Sequence, residues 1–83
     1  MMKEKIENAG KNLKTILIDY TEKDGSNEGW REVEPYSFRE KKGETYFYGY
    51  DIKKGGIRGF ILNTINDIEE TENTYNPRWT VEF

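Results

Sequence analysis

The 83 residues allow one domain with one small core, and a mean hydropathy of −1.01 leaves few apolar residues to build it. Six tyrosines, four phenylalanines and two tryptophans supply large buried areas from few positions, so the chain is polar but not a disordered one. The absence of cysteine and histidine excludes a disulfide framework, thiolate metal sites and the usual general base, and a net charge of −3 excludes coating of nucleic acid by bulk charge.

Met2, Ile6, Ala9 and Leu13 fall at helical spacing and Gly10 reads as a stop, which predicts a short helix over about 2–10 with one apolar stripe. Such a helix is too short to persist alone and must pack on something. Thr15–Tyr20 reads as a strand with Ile16, Ile18 and Tyr20 on one face; Leu17 on the other implies cover on both sides. Thr21–Gly29, with Asp24-Gly25, is a turn or loop. Trp30–Phe38 is the second strand, in which Pro35 marks an edge position or a bend. Lys42-Gly43 turns the chain into the aromatic-rich third strand Glu44–Asp51, and Lys54-Gly55-Gly56 closes a hairpin into the fourth, Ile57–Leu62. Asn63–Asn66 is a tight turn and Ile68–Thr71 a short fifth strand. Trp79, Val81 and Phe83 alternate with Thr80 and Glu82 as a final strand with one half-buried face. One helix followed by five or six short strands predicts a mostly β fold. The expected form is a small β-barrel of about five strands over 13–83, preceded by a short N-terminal α-helix, in a single domain 1–83.

Charge is uneven along the chain: residues 1–14 and 39–58 are basic on balance, 15–38 and 59–83 acidic. The acidic run at Glu69, Glu70 and Glu72 has no loop geometry suited to a cation and reads as solvated. Gly55-Gly56 lies in a hairpin instead of before a helix, so it is not a phosphate loop. No catalytic constellation, cofactor motif or metal set is visible, and the expectation is a protein that is not an enzyme. Without an apolar run of membrane-spanning length or a signal peptide, the default location is cytoplasmic, with no membrane partner. Two features stand out. Arg31 shares parity with Val33 and Pro35, and Arg58 with Phe60 and Leu62, so each arginine begins an inward-facing series near a rim. Two guanidiniums there would clamp a phosphate or carboxylate, or else pair with internal acids such as Glu32, Glu34 or Asp51. Tyr46, Tyr48 and Tyr50 share one face, which suits either base stacking or cross-strand packing.

Four ordered blocks carry a family resemblance: Ile18-Asp19-Tyr20, Arg31-Glu32-Val33-Glu34-Pro35-Tyr36, Thr45-Tyr46-Phe47-Tyr48-Gly49-Tyr50-Asp51 and Arg58-Gly59-Phe60-Ile61-Leu62-Asn63-Thr64-Ile65. They resemble the WYL-domain family, which reads I-x-Y, R-x-V-x-P-Y, W-Y-L-x-G-Y-D and R-x-F-x-L-D-R-I in this order. The resemblance implies an Sm-like barrel behind an N-terminal helix. It also implies a regulatory, ligand-sensing module of the kind attached to DNA-binding domains or accompanying helicases and CRISPR systems. Such modules take nucleic acids or nucleotide-like effectors through a basic groove. Arg31 and Arg58 match arginines of the pattern, and Tyr20 and Tyr46 its aromatics. Thr45 replaces the signature Trp, Ile61 stands where a basic residue is common, and Asn63 and Thr64 replace Asp and Arg. With two cationic positions gone, nucleic-acid binding should be weak or the ligand small.

The leading expectation is therefore a non-catalytic regulator module. Arg31 and Arg58 would hold an anionic group, with Tyr20, Tyr46 and Tyr48 as aromatic walls, for a single-stranded nucleic acid or a small anionic effector. The alternative is a protein-interaction or homo-oligomerisation module, with Trp79–Phe83 as the pairing edge. A third reading gives the acidic blocks a basic partner.

Overall fold

The structure, a computed structural model, describes residues 2–83. Its elements are α1 (Met2–Lys11), β1 (Lys14–Tyr20), β2 (Trp30–Lys41), β3 (Glu44–Asp51), β4 (Gly56–Ile61), a 3₁₀ turn at Leu62–Thr64 and β5 (Ile65–Thr74). Glu4 in the first turn of α1 and Lys11 in its last each oppose the nearer end of the helix dipole. Ile6 and Ala9 on its inner face are completely buried. Gly10 does not stop the helix. It lies within α1, where a Cβ would overlap the Phe83 ring. The chain turns away at Leu13, which takes a left-handed φ of 52°.

The five strands form one antiparallel sheet in the order β4-β3-β2-β1-β5. Val33 lies between Ile16 and Asp51 in the register, Phe47 opposite Phe60, and Ile18 opposite Ile68. These alternate positions, with Ile6, Ala9, Tyr20 and Ile65, make a single core to which every strand contributes. A flat five-stranded sheet would be about 19 Å wide, so the sheet must bend around α1 for its two edges to share one core.

The bend stops short of a barrel. Among the described residues β4 and β5 are the two edges and share no ladder. The 3₁₀ turn carries the chain directly from one edge to the other. A side chain from the end of β1 reaches the β4 edge: the Tyr20 hydroxyl accepts the Ile61 N–H at 3.4 Å.

The C-terminal part departs furthest from expectation. The short strand expected at Ile68–Thr71 is the middle of the ten-residue β5. Trp79–Phe83 is not a strand of the sheet. β2 pairs with β1 only over Trp30–Val33, which leaves the same edge of its second half open. Residues 75–83 cover that stretch. The Tyr75 hydroxyl donates to the Pro35 carbonyl at 2.5 Å and the Glu82 N–H to the Tyr36 carbonyl at 2.8 Å. Trp79 stacks on Tyr36 with ring centroids 3.8 Å apart, and Phe83 meets Phe38 edge-on at 5.3 Å. The alternation that reads as an exposed edge strand thus belongs to a strap that hides one. Pro35 is on the central strand, beside a bulge between Pro35 and Ser37, where a missing N–H is tolerated.

Candidate anion-binding site

Strand parity brings the two arginines together. Arg31 starts the inward series of β2 that continues through Val33, and Arg58 the inward series of β4 that continues through Phe60. Both reach the carboxylate of Glu22, in the loop after β1. Arg58 Nη2 donates to its two oxygens at 3.3 and 3.2 Å, and Arg31 Nη2 lies 3.7 Å from Oε2. The loop holds Glu22 there with its own hydrogen bonds. The Glu22 N–H donates to the Ser26 carbonyl at 2.8 Å, and the Glu22 carbonyl accepts from Gly25 at 2.9 Å, where a φ of 86° suits glycine. Asp24 accepts from the Ser26 hydroxyl and N–H, and these bonds hold its carboxyl below the usual range.

The two guanidiniums differ in setting. Arg58 is partly exposed and lies 5.0 Å from the Phe60 ring centroid. Arg31 is only 7% exposed. Its Nη1 faces the buried Asp51 carboxylate at 3.5 Å, while its Nε and Nη2 are buried without a hydrogen-bond partner. Asp51 is in turn held by the Lys54 N–H at 3.2 Å. Of the internal acids expected for the arginines, Asp51 does pair with Arg31. Glu34 instead takes Arg78 in a two-point contact at 3.0 and 3.2 Å, and Glu32 takes Thr15 and Asn73.

An open cleft of about 740 Å³ lies beside the Glu22 contact. Tyr20, Tyr46 and Arg58 line it together with Gly59 and Ile61 of β4. Tyr20 packs edge-on against Phe60 at 4.9 Å. Arg31 does not reach the cleft; Glu22 lines it and touches Arg31 from that side. The surrounding charges balance: Glu22, Asp24 and Glu28 against Lys23, Lys54 and Arg58. Tyr48 falls elsewhere. It lines a second groove on the outer face with Ser37, Arg39, Ile57 and Trp79. It stacks with Tyr46 at 6.2 Å, and Lys41 lies over both rings and donates to the Tyr48 hydroxyl at 2.9 Å. That bond raises the Lys41 pKa.

The expected five-residue site is thus divided: Tyr20, Tyr46 and Arg58 in the cleft, Arg31 behind Glu22, and Tyr48 on the outer face. Sequence reasoning missed Glu22. Its only signal was an acid two residues past a strand whose parity points inward. Among the described residues, no group of His, Cys, Asp or Glu is arranged to hold a metal, and no helix is long and apolar enough to cross a membrane.

A WYL-domain family model matches residues 2–70. A relative from Bacillus subtilis (strain 168), an uncharacterized HTH-type transcriptional regulator YobV, is 35% identical over 74 residues, covering 89% of this chain and 23% of its own. The chain therefore spans about a quarter of that relative's length. Among solved structures, proteasome accessory factor B/C (PafBC) of Arthrobacter aurescens superposes with a TM-score of 0.80 at 20% identity, over 88% of this chain and 11% of its own. The chain belongs to the WYL-domain family.

Proposed function

We propose that this chain is the ligand-sensing module of a transcriptional regulator, one unit over 1–83. It takes a small effector by an anionic group held between Arg31 and Arg58, with Tyr20 and Tyr46 as apolar walls. The observation that carries the reading is that arginines on two different strands reach one carboxylate oxygen beside an open, tyrosine-lined cleft. Guanidiniums arranged around one oxyanion are what recognition of a phosphate or carboxylate requires. Membership in the WYL family and similarity to an HTH-type regulator support a regulatory, non-catalytic role. The balanced rim favours a small anion over a long polyanion.

Two-dimensional NMR titrations with adenosine monophosphate, adenosine and a short single-stranded DNA test this. The expected result is movement of the Arg31 and Arg58 side-chain signals, with the monophosphate binding more tightly than adenosine. Shifts confined to other surfaces, or no preference for the phosphate, would remove the assignment. A second reading, a protein-interaction module, has one observation in its favour: Ile57 on the edge strand β4 is 64% exposed. An Ile57→Lys variant that leaves mass by light scattering unchanged at all concentrations would remove its self-association form.

A further inference from the structure

Arg31 has an unusual deficit. A guanidinium has two neighbouring N–H groups on its Nε–Nη2 edge, spaced to grip two oxygens of one anion. On Arg31 that edge is buried and makes no hydrogen bond. Buried donors left without partners are destabilising, more so when charged. The nearest acceptor is Glu22 Oε2, 3.7 Å from Nη2, which is an ion pair but too long for a hydrogen bond. Glu22 spends its better contacts on Arg58 instead. One carboxylate bridging two arginines has satisfied one of them.

From this we infer that Glu22 is a built-in competitor: its carboxylate closes an oxyanion subsite on Arg31, and a ligand phosphate opens the subsite by displacing it. Glu22 stands on a loop, while both arginines stand on strands of the sheet, so the carboxylate is the part that can leave. Its side chain lines the cleft and contacts Arg31, which does not itself line it. A tetrahedral phosphomonoester has three terminal oxygens. It can meet the Nε–Nη2 edge of Arg31 with two of them and Arg58 with the third, which a carboxylate with two oxygens cannot do. The ligand class is therefore a small phosphomonoester. The device sets a threshold, because the apparent affinity is the intrinsic one reduced by the fraction of molecules in which Glu22 is withdrawn.

The inference rests on the effector-site reading above, and the test separates the two. Wild type and Glu22→Gln are titrated with adenosine monophosphate, with adenosine as the control, and followed by NMR of the arginine Nε–H groups. The variant is expected to bind the monophosphate about tenfold more tightly, within the usual range of coupling between competing contacts, and adenosine unchanged. Equal affinity of both proteins for the monophosphate, with shifts at Arg31 and Arg58, overturns the competitor and leaves the site. Absence of binding at those arginines in both proteins overturns the site and the competitor together. If Glu22→Gln proves less stable, inorganic phosphate supplies a second readout. Phosphate should raise the melting midpoint of the variant more than that of wild type at the same concentration. An equal rise counts against the competitor.

Discussion

Arg31 and Arg58 bind the same carboxylate, yet their removal should have different consequences. Arg31 is the charge partner of Asp51, which is only 1% exposed, so Arg31→Ala leaves a buried carboxylate uncompensated and should cost about 3 kcal/mol of stability. Arg58 is part-exposed and has Glu22 alone as its acid, so Arg58→Ala should cost less than about 1 kcal/mol while weakening phosphate binding about tenfold or more. Denaturant melts beside titrations of the two variants check this; equal stability losses would contradict it. Arg31→Lys should not restore affinity, because a lysine cannot present two parallel donors. Tyr36 gives a prediction in pH. Burial, and the bond its hydroxyl donates to Glu34, push its pKa from 10.0 up to about 12. Between those values the unfolded chain has lost the proton and the folded one keeps it, so stability is full below about pH 10 and falls as pH rises toward 12. Tyr36→Phe should be less stable overall, since the Arg78 N–H loses its acceptor, but its stability should fall less steeply in that window. An unchanged alkaline slope would reject this account.

At the scale of elements, the C-terminal strap and α1 depend on each other through Gly10. In an ordinary helix interior Gly→Ala raises stability by about 1 kcal/mol. At Gly10 the added methyl meets the Phe83 ring, so Gly10→Ala should lower stability by about 1 kcal/mol, and should raise it when Phe83→Ala has made room. A double-mutant cycle by thermal melts reads the reversal of sign. Without that reversal, the strap would not be seated on the helix. The same segment marks the limit of what sequence showed. Ile16, Ile18, Val33, Phe47 and Phe60 alternate because each strand buries one face, and that period made the first four strands legible. Trp79, Val81 and Phe83 alternate too, but from packing over β2, and a period of two does not distinguish a strap from a ladder. β5 was read too short, as Ile68–Thr71, for the opposite reason: an edge strand buries only Ile65 and Ile68 and leaves its acids in water. Parity placed Arg31 and Arg58 on the inward face. It could not place Glu22, because a loop residue's position follows from tertiary contacts and not from any period.

Across the whole molecule, the distribution of charge decides between a small ligand and a long one. All four arginines are engaged by acids of the chain itself: Arg31 by Asp51 and Glu22, Arg58 by Glu22, Arg39 by Glu82 and Arg78 by Glu34. Lys54, on the rim of the cleft, faces Glu28 at 3.6 Å. No stripe of unpaired guanidiniums follows the sheet, and in the basic block at 39–58 Arg39, Lys54 and Arg58 each face an acid from a distant part of the sequence. A polynucleotide tracked by such a surface would release few counterions. If Arg31 and Arg58 together meet one phosphate and no other cation joins, the affinity for a short single-stranded DNA should fall with salt at a log–log slope of about −0.7. Titrations at several salt concentrations measure it. A slope several times steeper would mean that lysines such as Lys23, Lys41 and Lys54 join the contact, and that the stacked pair Tyr46 and Tyr48 lies along a nucleic-acid path. The shallow slope instead belongs to a pocket that recognises one phosphate and competes for it with Glu22.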